Sequence, residues 1–179
     1  MNLPNLLTLA RMCLTPALVL LLSSSAWDVA LAVFVAAMAT DVLDGYLARS
    51  RGLVTDFGRL MDPVADKLLI GAAFVCLAAV DRIDPWAVAL ILTREVFVSA
   101  IRLAARRQDV TISANRLGKA KTALQACAIV ALIVAGDPSA AWVQALVATT
   151  VAITLLSGLA YVVSYFGGRR APVQASTAG

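Results

Sequence analysis

Residues 41–66 read DVLDGYLARSRGLVTDFGRLMDPVAD, and apolar runs long enough to cross a membrane lie on both sides. The stretch carries five of the chain's eleven acidic residues. Within it Asp41, Asp44, Gly45, Ala48, Arg49, Gly58, Asp62 and Asp66 form the pattern D-x2-D-G-x2-A-R-x8-G-x3-D-x3-D. A carboxylate inside a bilayer costs several kcal/mol unless something compensates it, so a cluster of them there marks a functional site.

The surrounding composition says what the solvent is. The chain has 179 residues, about one domain, and is 61% hydrophobic. Its mean hydropathy is +0.86. A soluble chain holds roughly 45–50% apolar residues, and one of this size could not hide the excess. Six apolar segments lie at about 5–24, 27–48, 60–80, 85–105, 118–136 and 140–166, each near the ~20 residues a span needs. DRIDP (81–85) and GDPS (136–139) are turn-like by their Asp and Pro content. Alternating hydrophobicity is absent, which favours helices over a barrel. The expectation is an all-α integral membrane protein with six transmembrane helices, one domain over 1–170, and a small polar tail (171–179) expected to be disordered.

Charge placement gives an orientation. Arg49, Arg51, Arg59, Arg106, Arg107, Arg116, Lys119, Lys121, Arg169 and Arg170 fall in or beside the 2–3 and 4–5 connections and the C-terminal end. The other connections hold Arg82 alone, against Asp28, Asp81, Asp84 and Asp137. By the positive-inside rule both termini and the acidic cluster belong on the cytoplasmic face of a cell membrane. The opening run carries Arg11 and Pro16 and lacks a small-residue cleavage site, so it is expected to be retained. Asn5, Thr8 and Arg11 recur every three residues there, read either as a short interfacial helix before the first span or as that span's cytoplasmic end. Cys13, Cys76 and Cys127 stand singly and read as buried thiols, and the absence of histidine excludes His-based catalysis and ligation.

At 100° per residue Asp41, Gly45 and Ala48 share a helical stripe with Asp44 beside it, and Gly58, Asp62 and Asp66 share another. A connection of about ten residues makes the two helices antiparallel neighbours. Four carboxylates then converge, and they would repel one another unless cations bind. All-oxygen donors favour Mg²⁺ or Mn²⁺, and four carboxylates suit two such ions of the kind that clamp phosphoryl oxygens. Gly45, Ala48 and Gly58 serve either close helix packing or room for a flat ligand such as a nucleotide. Arg49 reads either as a phosphate ligand or as a membrane anchor.

The eight-residue pattern resembles the signature of the CDP-alcohol phosphotransferase family at every fixed position, and the six-helix architecture is similar. The resemblance implies metal ligation by Asp41, Asp44, Asp62 and Asp66, with Asp66 also the general base. It places Gly45 and Ala48 beside the cytidine, and Arg49 and Gly58 near the CDP moiety. It implies attack of an alcohol on the lipid-linked phosphate of CDP-diacylglycerol with release of CMP, and a homodimer. Nucleic acid is not an expected partner.

The acceptor is read from later cations. Arg94, Val98 and Arg102 share a face of the fourth segment, and N115-R-L-G-K-A-K-T122 sets Lys119 and Lys121 at the start of the fifth. A basic pocket facing metal-bound phosphates suits an acceptor with its own phosphate. The plainer readings are positive-inside charge for the two lysines and, for Arg94, an ion pair with an acid of another span. The T93-R-E run, Ser99, Arg102, the G-K-x-K-T run and PNLLTLAR (4–11) resemble the branch of the family that uses glycerol 3-phosphate. Residues 103–117 match that branch less closely. Alternatives are family members acting on phosphatidylglycerol or inositol phosphate and, from another class, a divalent-cation transporter.

Overall fold

The computed structural model describes residues 3–51, 56–106 and 116–168. The described residues form six helices and no strand: α1 (Leu3–Ser23), α2 (Trp27–Arg51), α3 (Asp56–Ala79), α4 (Pro85–Arg106), α5 (Arg116–Val134) and α6 (Ala141–Gly168). All six expected segments are helices. The tail 171–179 and the charged stretch 107–115 lie outside the described residues.

Of the three cysteines read as buried thiols only Cys76 is buried, while Cys13 and Cys127 are exposed on the helix surface. Two further expectations about local structure need correcting. α1 runs unbroken from Leu3 to Ser23 through Pro16, so no separate interfacial helix precedes the first segment among the described residues. Thr8 and Arg11 are buried, at 1% and 0% exposure, so the polar stripe faces the bundle. Next to the proline, the Thr15 hydroxyl donates back one turn to the Arg11 carbonyl at 3.0 Å. The second correction concerns the acidic stretch. α2 continues to Arg51 and α3 begins at Asp56, so the join is shorter than the apolar boundaries implied. Charge ends an apolar run without ending a helix.

α1 packs on α2 and α3, α6 packs on α4 and α5, and α3 and α2 join the two groups through α4 and α5. Leu22, Phe34, Phe74, Ile91, Leu132 and Val143, one from each helix, meet in the core. Ala30, Ala37, Ala65, Ala73 and Ala128 are fully buried, and such small side chains let membrane helices approach closely. Large apolar side chains, among them Leu20, Val96 and Leu159, point outward instead. Among the described residues one segment, Ala141–Ser164, is by itself long and apolar enough to cross a membrane, with shorter apolar stretches at Thr8–Ser23 and Ala120–Val134. α2, α3 and α4 carry charges toward one end, which dilutes their hydropathy.

The opposite end is aromatic. The chain's three tryptophans, Trp27, Trp86 and Trp142, sit in the first turns of α2, α4 and α6. Membrane proteins place tryptophan at the lipid–water boundary in this manner. Arg82, the one cation the orientation reading left at this end, is held by structure. Its guanidinium lies 4.1 Å from the Trp27 ring centre and donates to the carbonyls of Leu132 (3.0 Å) and Ala135 just past the end of α5. A cation there satisfies orphan helix carbonyls and complements the helix dipole. Nearby, Asp84 accepts from the Trp86 backbone N–H at 2.7 Å and caps α4. Arg82→Ala is expected to destabilise the protein by about 1–3 kcal/mol, read as a lowered unfolding temperature in detergent.

Candidate active site

The acidic end is organised by a side chain on α1. Arg11 is fully buried, and its Nη1 contacts Asp41 Oδ1 of α2 at 2.7 Å and Asp66 Oδ1 of α3. Two carboxylates from different helices thus meet on one guanidinium nitrogen. A buried cation is tolerated only where charge and hydrogen bonds compensate it, and here two acids do so. The carboxylates keep 32% and 42% of their surface exposed, so they remain open to a ligand while the arginine is sealed beneath them.

α2 also carries Asp44, Gly45, Ala48 and Arg49, and α3 carries Gly58 and Asp62. The helical spacing read from the sequence therefore holds for the backbone on both sides. The side chains at these positions, and at Lys119 of α5, lie outside the described residues. Among the described residues no three His, Cys, Asp or Glu side chains gather as a metal site. The donor chemistry fits a hard divalent ion all the same, because Asp41 and Asp66 converge on one point and carboxylate oxygens are the donors such an ion takes.

Next to the carboxylates runs a strip of cations. Lys67, one residue after Asp66, donates from Nζ to the Ser99 hydroxyl of α4 at 2.6 Å. Glu95, one turn back, accepts from Lys121 of α5 and from Arg94 Nη1 at 3.0 Å. Arg94 Nη2 reaches the Ser157 hydroxyl of α6 at 2.8 Å. Arg102 lies 5.5 Å from the Tyr161 ring centre. Of the four cations expected to form a basic pocket, the structure brings Arg94 and Lys121 together around Glu95 and leaves Arg102 against an α6 aromatic. The acid that pairs with Arg94 is its own neighbour on α4, whereas Lys121 pairs across helices. One acid serves several cations, so the strip keeps a net positive charge.

Sequence reasoning missed two residues. Arg11 looked like an anchor because nothing in a linear pattern joins residue 11 to residues 41 and 66. Lys67 was passed over although it adjoins the last motif aspartate, which was its available signal. A cavity of about 470 Å³ between α2 and α5, lined by Phe34, Met38, Val130 and Trp142 among others, contains none of these groups. It is apolar and separate from the charged site.

The charged strip depends on a small residue. A Cβ added at Gly158 would come within 2.9 Å of Arg94 Cγ and 3.0 Å of its Nε, so this α6 glycine makes the notch that holds the arginine. Gly158→Leu is expected to push Arg94 off Ser157 and cost about 1–3 kcal/mol of stability, measured by thermal unfolding in detergent. Gly118→Ala, where a Cβ meets nothing within 4 Å, serves as the control.

Comparison with known proteins places these features in context. A family model described as CDP-alcohol phosphatidyltransferase matches residues 1–162. A probable phosphatidylglycerophosphate synthase of Mycobacterium tuberculosis is 40% identical over 168 residues, covering 90% of this chain and 80% of the relative. A CDP-diacylglycerol–glycerol-3-phosphate 3-phosphatidyltransferase of Rickettsia typhi is 42% identical over 141 residues, covering 77% and 79%. One of the same description from Bacillus subtilis is 39% identical over 152 residues, covering 76% and 79%.

Proposed function

The chain belongs to the CDP-alcohol phosphatidyltransferase family, and from that premise we propose that it transfers the phosphatidyl group of CDP-diacylglycerol to glycerol 3-phosphate, giving phosphatidylglycerophosphate and CMP. The observation that carries the acceptor is the strip of cations beginning at Lys67, directly after Asp66. An acceptor that brings its own phosphate uses such a strip; an uncharged alcohol does not. The bacterial relatives named for the same transfer support the choice.

The reaction asks four things of the chain. The donor's cytidine needs a flat space, which Gly45 and Ala48 would leave open, with Arg49 and Gly58 beside the CDP phosphates. The acceptor phosphate would be held by Lys67, Arg94, Arg102, Lys119 and Lys121, aiming its hydroxyl at the lipid-linked phosphorus. Glu95 would keep Arg94 and Lys121 in place. As the new P–O bond forms and the bond to CMP breaks, Asp66 would take the hydroxyl proton. Asp41, Asp44, Asp62 and Asp66 would hold two Mg²⁺ or Mn²⁺ ions, which when bound neutralise the pyrophosphate and the departing CMP.

The membrane arrangement belongs to the same reading. All six helices span the bilayer, with the termini and the site on the cytoplasmic side and the tryptophan end opposite. Outward-facing Leu20, Val96 and Leu159 then meet lipid. The chain acts as a homodimer, as its family resemblance implies. A site at the inner face lets a lipid donor meet a water-soluble acceptor.

The test is CMP release by purified protein in detergent with CDP-diacylglycerol and Mg²⁺, offering glycerol 3-phosphate, phosphatidylglycerol and inositol phosphate in separate reactions. Release with glycerol 3-phosphate alone is expected, falling about 10²–10⁴-fold in Asp66→Asn. Release with only one of the other acceptors would overturn the assignment.

A further inference from the structure

Arg11 is an interior charge that the proposed chemistry does not use. It is fully buried, yet it lies on two of the four carboxylates that the transfer reading assigns to metal. We infer that Arg11 is a resident counter-cation of the acidic site, which offsets one of the two charges of Asp41 and Asp66 when no divalent ion is bound and competes with that ion for them. The inference rests on the metal-site reading of these carboxylates.

The argument is one of charge. Two carboxylates drawn to a common point in a partly dry site repel each other, and without a cation one must take up a proton or the helices must part. α1 supplies that cation from below, while the exposed sides of both acids stay available above. The guanidinium is always charged and weakly hydrated, which suits it to a permanent buried role better than lysine. Its bonds link α1 to α2 and α3, so the metal-free site keeps its shape. A divalent ion arriving at the same acids meets a fixed positive charge within a few ångströms. Whatever stabilises the metal-free form more than the loaded form weakens metal binding by the same factor. Arg11 therefore trades affinity for order: the ion binds more weakly to a site that is already assembled.

A merely structural arginine would affect stability without tightening metal binding, and that difference supplies the test. Arg11→Gln and Arg11→Lys are compared with the unaltered protein in detergent. Thermal unfolding is followed in EDTA and in saturating Mg²⁺, and Mn²⁺ affinity is measured by electron paramagnetic resonance. In EDTA Arg11→Gln is expected to unfold roughly 5–10 °C lower, with much of the gap closing in Mg²⁺. Its Mn²⁺ affinity is expected to rise about tenfold, with Arg11→Lys between the two.

Mn²⁺ affinity that is unchanged or weaker in Arg11→Gln would overturn the inference while leaving the metal site standing. No Mn²⁺ binding by the unaltered protein would overturn both. Should Arg11→Gln not yield folded protein, Arg11→Gln combined with Asp41→Asn decides the matter. Removing one charge of each sign is expected to recover folded, EDTA-stable protein, and a double variant no better than the single one would contradict the role.

Discussion

A guanidinium sealed from solvent sits between carboxylates of two neighbouring helices, and the charged half of this molecule is arranged around that fact. Arg11 would be prohibitively costly in an apolar bundle by itself, and Asp41 and Asp66 would repel each other if they met without it. Together they form a partly compensated group that α1, α2 and α3 share. Because each helix contributes one charge, none of the three can slide or rotate freely against the others. Burial of Thr8 and Arg11 follows from the same contact, and it turns the polar stripe of α1 inward.

The two ends of the bundle solve different problems. At the aromatic end, Arg82 stacks on Trp27 and satisfies carbonyls at the end of α5, so its charge is consumed by structure. At the acidic end, charge exceeds what structure requires. Arg94 and Lys121 gather on a single glutamate, with Gly158 leaving the space that Arg94 occupies, while Lys67 bonds Ser99 and Arg102 lies against Tyr161. Acid at Asp41 and Asp66 and base from Lys67 onward make this end polarised. In between, buried alanines bring the helices close around a core to which every helix contributes.

Much of this was legible in the sequence because it is local. Helices report themselves through apolar run length, and the i, i+4 spacing of Gly58, Asp62 and Asp66 needs only a helix to put them on one face. The eight-residue pattern carried the family for the same reason, since its positions lie on two consecutive helices. The Arg11 contact was illegible because it joins residues far apart along the chain, and a lone arginine near a helix start is the ordinary form of an anchor. The length of α2 was misjudged for a related reason: hydropathy marks where apolar residues stop, and Arg49 and Arg51 are good helix formers in their own right. Glu95 stands in the T93-R-E run, but its choice of Lys121 depends on how α4 and α5 pack, which spacing does not encode.

The central claim is that the face carrying Asp41, Asp44, Asp62 and Asp66 is a two-metal site for phosphatidyl transfer. Its most direct test is the number of Mn²⁺ ions bound per chain in the presence of CDP-diacylglycerol, counted by electron paramagnetic resonance. The account predicts about two ions in the unaltered protein, with binding reduced in Asp62→Asn. Stoichiometric binding that survives intact in Asp62→Asn, or no binding at all by folded protein, would contradict it.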